Sequence, residues 1–322
     1  MKKYTLIGTL VLILSAFLSS INQVFYAKWV QDIDPFVYSF LSFSITLLFF
    51  LSLTVLKSIK VKKSNIKLNN KITGMNSIVV LNIITAIIFI CFYYANKYIE
   101  PAIVSAIEIG IGPIIALVLS LIIQKSNILK FDIYVCLGIL IGTLILVWAS
   151  LSGKSGIASD ASFTYKGLLA TFTAGIGMVL ATIYSKKLSQ AGWSTYEILA
   201  HRFYMLVPVT IVFVLNKKAS YILDVFQSNW NWIILFTFLG LIIPLYLIQV
   251  GIKYCNPLFV SVTLTLGPVF TFVFQLLDPR VKWSWISLSG IGCLCVFVII
   301  KMFIQNVGLN KEKPKGEKLK HA

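Results

Sequence analysis

Apolar runs of about twenty residues recur along this chain, separated by short polar stretches, and that repetition restricts its fold more than any single motif. A membrane-crossing helix needs about 20 predominantly apolar residues at a rise of 1.5 Å each. Runs of this kind lie near 4–26, 36–56, 74–95, 101–123 and 132–150, and again near 165–186, 197–215, 230–250, 257–277 and 283–304. The first follows Lys2 and Lys3 as a secretory signal would, but its apolar stretch outruns the 7–15-residue core typical of a signal peptide. Only 12% of the 322 residues are charged, about half the share a soluble domain uses to solvate its surface. Lipid is therefore the solvent, and the expected fold is an all-α integral membrane protein of ten transmembrane helices.

Charge supplies orientation rather than a partner. The formal charge is +17, yet the lysines and arginines sit in clusters between apolar runs and form no continuous basic face, so nucleic acid is not an expected partner. Placing the N-terminus in the cytoplasm puts Lys2, Lys3, the Lys57–Lys71 cluster, Lys125, Lys130, Lys186, Lys187, Arg202, Lys253, Lys301 and the basic tail on one side. That side then holds 20 of the 28 Lys and Arg residues. The bias predicts a multi-pass protein with both termini cytoplasmic, and it agrees with an even number of spans. The five cysteines all fall within apolar runs and read as small buried hydrophobes, with no disulfide framework, metal site or cofactor implied.

The chain repeats itself. Pro101-Ala-Ile-Val-Ser105 through Gly112-Pro113 returns as Pro257-Leu-Phe-Val-Ser261 through Gly267-Pro268, at offsets of 156 and 155, and Tyr26-x-Lys28 returns as Tyr184-x-Lys186 at 158. Matches in order at a nearly constant offset indicate an ancestral duplication. The expected organisation is a first five-helix repeat over 1–150, a second over 151–304, and a basic cytoplasmic tail over 305–322. An odd number of helices per repeat makes the second half enter the membrane from the opposite side, giving a 5+5 inverted-topology repeat, the arrangement many transporters use.

This Pro-x-x-x-Ser…Gly-Pro pattern, set in ten spans, resembles the drug/metabolite transporter superfamily and in particular its EamA-type bacterial members, over residues 1–304. The resemblance implies a location in the bacterial plasma membrane. It also implies a central cavity between the halves, with helices five and ten peripheral, and efflux of amino acids or similar amphipathic metabolites. The chain departs from the family's Gly-Glu pair at the ends of helices four and nine, where Gln124 and Asp278 stand.

The residues themselves point to where a solute would bind. Prolines inside helices remove a hydrogen-bond donor, and interruptions at matching places in two halves mark a transport site, so Gly112, Pro113 and Pro268 are candidates. Glu108 is the acidic residue deepest in a span, about 10 Å along helix four at 1.5 Å per residue. A carboxylate at that depth is costly unless it is protonated, hydrated or paired with a cation. Ser105, Glu108 and Gly112 share a face, which makes Glu108 a candidate for binding a proton or a cationic amine. Polar stripes add Asn22 and Tyr26 on helix one, Asn82 and Tyr93 on helix three, Tyr246 and Gln249 on helix eight, and Ser261 and Thr265 on helix nine. Arg202 on helix seven is expected either to reach the interface or to meet a substrate carboxylate.

These features predict a secondary transporter moving a small metabolite, an amino acid or amine, outward by alternating access, with protons as a candidate co-substrate and the chain working as monomer or homodimer. The alternatives are an intramembrane enzyme and a receptor or scaffold. The first would need a nucleophile or metal motif that the sequence lacks, and the second would need no duplicated helix break.

Overall fold

The computed structural model describes residues 2–29, 33–60, 74–119, 130–157 and 161–311, most of it helix, joined by turns, bends and short irregular links. The proposed tail beyond Lys311, Gln124 and the loop lysines from Lys62 to Lys71 lie outside the described residues. The first half comprises α1 (Lys2–Trp29), α2 (Pro35–Lys60), α3 (Met75–Tyr98), α4 (Pro101–Gly110), α5 (Gly112–Leu119) and α6 (Lys130–Leu151). The second comprises α7 (Ala161–Gln190), α8 (Thr195–Ala200), α9 (Leu206–Val214) and α10 (Ala219–Thr237), which runs through a π turn (Phe238–Ile242) into α11 (Ile243–Tyr254). The chain closes with α12 (Pro257–Leu264), α13 (Gly267–Gln275) and α14 (Trp285–Lys311).

Eight helical stretches are long and apolar enough to cross a bilayer, the α4–α5, α10–α11 and α12–α13 pairs each counting as one. One of the ten expected spans differs. The seventh, expected as one run over 197–215, is cut at residues 201–205 into α8 and α9. The tenth, expected over 283–304, falls on α14 (Trp285–Lys311), with Trp285–Lys301 as its apolar stretch.

Local chemistry explains the boundaries. Pro101 and Pro257 occupy the first helical position of α4 and α12, where a missing N–H costs nothing and the fixed φ suits the helix. Asn256 caps α12 by accepting the Phe259 N–H at 2.7 Å. Asp34 serves α2 in the same way, accepting from Phe36 at 2.9 Å, and Ser194 with Glu197 forms a capping box on α8.

The break between α8 and α9 is held by α3. Asn82 donates to the His201 carbonyl at 2.6 Å and accepts the Met205 N–H at 3.2 Å, so one side chain satisfies backbone groups on both sides of the interruption. Irregular backbone at membrane depth persists only where protein or water supplies such partners.

Packing is paired across the halves. α3 lies along α7 and α1 along α11, while α6 packs on α14 and α2 on α8 and α9. The α4–α5 and α12–α13 stretches run beside one another through the middle. Two opposed walls, α3 with α7 and α1 with α11, thus flank the discontinuous pair.

Candidate functional site

Both Gly-Pro sequences interrupt their helices. The first stretch breaks at Ile111 and the second at Thr265 and Leu266, each resuming at the Gly-Pro. At the crossing the contacts are reciprocal. A methyl placed on Gly112 would meet Ser261 at 3.4 Å, and one on Gly267 would meet Ile109 at 3.2 Å and the Ser105 hydroxyl at 3.7 Å. Each glycine therefore sits against the other half's copy of the Pro-x-x-x-Ser segment, the self-complementary pattern of a two-fold relation.

Beside this crossing is a cavity of about 100 Å³, enough for several ordered waters. α1 contributes Ser19, Ser20, Asn22 and Gln23, α3 contributes Phe89, Phe92 and Tyr93, and α4 contributes Ser105 and Glu108. The opposite wall is the π turn and start of α11, from Gly240 to Ile248. Among the described residues, no lysine, arginine or histidine lines it. Gly240 is needed there because a β-carbon would fall 2.2 Å from Asn22.

Glu108 is 4% exposed, and among the described residues no group hydrogen-bonds to its carboxylate. Backbone approaches it closely from α7, where a β-carbon on Gly175 would lie 2.6 Å from the Glu108 carbonyl oxygen. The Asn22 amide oxygen and the Tyr93 hydroxyl are also buried without partners. Buried polar atoms are nearly always hydrogen-bonded, and several orphans around one cavity mark it as a place where water or a solute belongs.

Of the residues singled out from sequence, Asn22, Tyr93, Ser105 and Glu108 meet in this cavity. Gly112 and Ser261 line a small recess next to it, again with Glu108. Pro113 and Pro268 head the resumed helices rather than facing the space. Tyr26 packs over the Tyr93 ring at 4.3 Å, and Thr265 bonds back to the Val262 carbonyl at 2.5 Å. Tyr246 pairs with the Tyr196 hydroxyl at 3.0 Å, away from the cavity. Gln249 is 1% exposed, and neither end of its amide finds a partner.

Two of the residues singled out stand away from this cavity. Asn82 does not line the cavity; it clamps the α8–α9 break. Arg202 is not among the residues lining the cavity; it is 4% exposed and donates from Nε to the Thr85 hydroxyl at 2.9 Å. The polar stripe predicted on α3 therefore divides, with Asn82 and Thr85 bracing the broken helix and Tyr93 facing the cavity.

Sequence reading missed two features. Gln23 donates to the Asn96 side chain at 3.0 Å and to the Pro101 carbonyl at 2.9 Å, joining α1 to the start of α4; its neighbour Asn22 was the available hint. Glu100, 1% exposed, accepts from the Gly156 N–H at 2.6 Å, Gln275 at 2.6 Å and the Ser287 hydroxyl at 3.1 Å. Gln275 in turn accepts the Ala102 N–H at 3.0 Å. This carboxylate ties the start of α4 to the end of α13 and the start of α14. Burial raises its pKa above the usual carboxylate value, against the three hydrogen bonds that lower it.

Residues 6–148 and 165–303 each match the EamA-like transporter family. This chain is a member of that family. The two matched units fall either side of the boundary set by the internal repeat, and together they take in α1 to most of α14. As an EamA-like protein it is a multi-pass membrane transporter of the drug/metabolite type. No curated protein matches the chain. A solved structure described only as that of a protein is similar at 13% identity and a TM-score of 0.63, over 98% of this chain and 99% of the other, a likeness of fold alone. Among the described residues no group of His, Cys, Asp or Glu is placed to hold a metal ion.

Proposed function

We propose that this EamA-like protein is a secondary transporter that exports a small amine or amino-acid-like metabolite by alternating access, with Glu108 binding the solute's ammonium group or a proton. The observation that carries the reading is a buried carboxylate without a hydrogen-bond partner among the described residues, on the wall of a cavity of about 100 Å³ where two discontinuous helices cross. A charge there is unfavourable by roughly 2.5–3.5 kcal/mol on insertion scales, so a cationic ligand or a proton stabilises the site. Phe89, Phe92 and Tyr93 supply aromatic surface for an apolar body or cationic head.

The architecture that fits this function is ten spans in a 5+5 inverted repeat. The severed α8–α9 stretch serves as the seventh span, α14 as the tenth, and both termini face the cytoplasm. Reciprocal contacts of Gly112 and Gly267, together with the distribution of Lys and Arg, support that arrangement. In it Glu100 faces the exterior, while Lys186 and Asn256 face the cytoplasm. A cavity at the crossing is then reached alternately from each side as the α3–α7 wall tilts against the α1–α11 wall.

Counterflow of labelled amines and amino acids in proteoliposomes tests the reading. Wild-type protein is expected to exchange at least one of them with a rate that depends on pH, and Glu108→Gln to lose that dependence. An unchanged rate and pH profile in Glu108→Gln would remove the role given to the carboxylate. Absence of counterflow with any amine or amino acid would remove the substrate class.

A further inference from the structure

Two helix ends in this molecule are copies of one device in different states. α3 ends in Lys97-Tyr98-x-x-Pro101-x-x-Val104-Ser105 and α11 in Lys253-Tyr254-x-x-Pro257-x-x-Val260-Ser261. Both leave the helix the same way, through Ile99 at φ −122°, ψ 151° and Cys255 at φ −109°, ψ 161°. The last carbonyls of a helix have no partner within it and carry its negative dipole end. At α11 a cation meets them. Lys186 on α7 donates to the carbonyls of Ile252 at 2.8 Å, Lys253 at 2.7 Å and Cys255 at 2.9 Å. All three of its N–H bonds are thereby used.

The counterpart of Lys186 is Lys28, at the offset of 158 that relates Tyr184 to Tyr26. The carbonyls corresponding to the captured ones, at an offset of 156, are those of Asn96, Lys97 and Ile99. Yet Lys28 is exposed, and among the described residues it makes no hydrogen bond to this helix end. α1 instead touches this region through Gln23, which bonds Asn96 and the Pro101 carbonyl, and through Tyr26 against Tyr93. In an inverted repeat, the opposite-facing conformation arises when each half adopts what the other half now shows.

We infer that Lys186 and Lys28 are alternating latches of the transport cycle. In this conformation Lys186 fastens α7 to the end of α11 and closes the cytoplasmic side. In the opposite conformation Lys186 lets go and Lys28 fastens α1 to the end of α3, closing the exterior. The inference rests on the inverted-repeat orientation proposed above. It assigns a working role to a lysine that makes no hydrogen bond among the described residues in this conformation.

Hydrogen–deuterium exchange on the full chain in lipid nanodiscs tests it without substrate. Lys28→Met, a change at an exposed side chain, is expected to favour the present conformation. Exchange at residues 252–256 should slow and exchange at 96–100 should quicken, each by roughly tenfold, the scale of a modest population shift. Lys186→Met should do the reverse at both ends. Unchanged exchange in Lys28→Met overturns the latch, as does a Lys186→Met variant that loosens only the cytoplasmic end. Lys28→Met keeps the test decisive even if Lys186→Met fails to fold. Absent counterflow with these shifts intact would count against the substrate proposal and leave the latch standing.

Discussion

Replacing Asn82 by alanine tests whether one amide holds a transmembrane helix in two pieces. Its Nδ2 serves the His201 carbonyl at 2.6 Å, and its Oδ1 serves the Met205 N–H at 3.2 Å. Alanine removes the amide from both, and the Met205 N–H loses its Asn82 acceptor at a position where Asn82 itself is only 8% exposed. An orphaned buried donor costs about 1–3 kcal/mol, and the lost bond to the His201 carbonyl adds to that. Water entering from the neighbouring groove beside His201 and Tyr204 would move the result toward the lower bound. The expected outcome is lower stability by at least about 1 kcal/mol in reversible unfolding from mixed micelles, with faster amide exchange over residues 200–206. Asn76→Ala, at an exposed position of the same helix, is the control and should be nearly neutral. If Asn82→Ala unfolds at the same denaturant concentration as Asn76→Ala, the clamp contributes nothing and the break has another cause.

Gly175→Ala would push a methyl to 2.6 Å from the Glu108 carbonyl oxygen, against backbone that cannot rotate away. Overpacking of this kind costs about 1–3 kcal/mol, so its thermal midpoint should fall while Gly292→Ala, whose added carbon meets nothing within 4 Å, leaves the midpoint in place. Glu100 predicts a slope of stability with pH. Its carboxyl is raised above 4.5 by burial, so its contribution is full below about pH 4.5 and declines as pH rises through the raised value. Thermal midpoints of wild type and Glu100→Gln taken from pH 4 to pH 8 should therefore show that decline in the wild type only, and parallel curves would contradict it.

Much of this fold is legible in sequence because the bilayer imposes a coarse and repetitive rule. Runs near twenty residues become helices, and the expected boundaries of α1, α3 and α6 lie within a few residues of those found. The Gly-Pro interruptions were legible for a different reason: proline acts on its own backbone, so its effect needs no knowledge of neighbours. The seventh span was misread because nothing local forbids a helix through His201 and Arg202. What stabilises the break is an asparagine more than a hundred positions away, and hydropathy carries no such term.

The same distinction separates the site residues. Glu108 could be found because an acid in an apolar run is anomalous by itself, whereas Asn82 and Tyr93 look alike on one helix stripe and part only in three dimensions. Glu100 was passed over because a carboxylate beside a helix start reads as a solvated loop residue. Its burial comes from Gly156, Gln275 and Ser287, which arrive from three other segments. Partner-dependent polar residues are thus invisible in sequence when their neighbours are remote. An internal repeat partly restores them, because each half shows what the other's copy could contact. Lys28 illustrates this: by itself it is an unremarked exposed lysine, and only the three carbonyls held by its counterpart Lys186 indicate what it could grip.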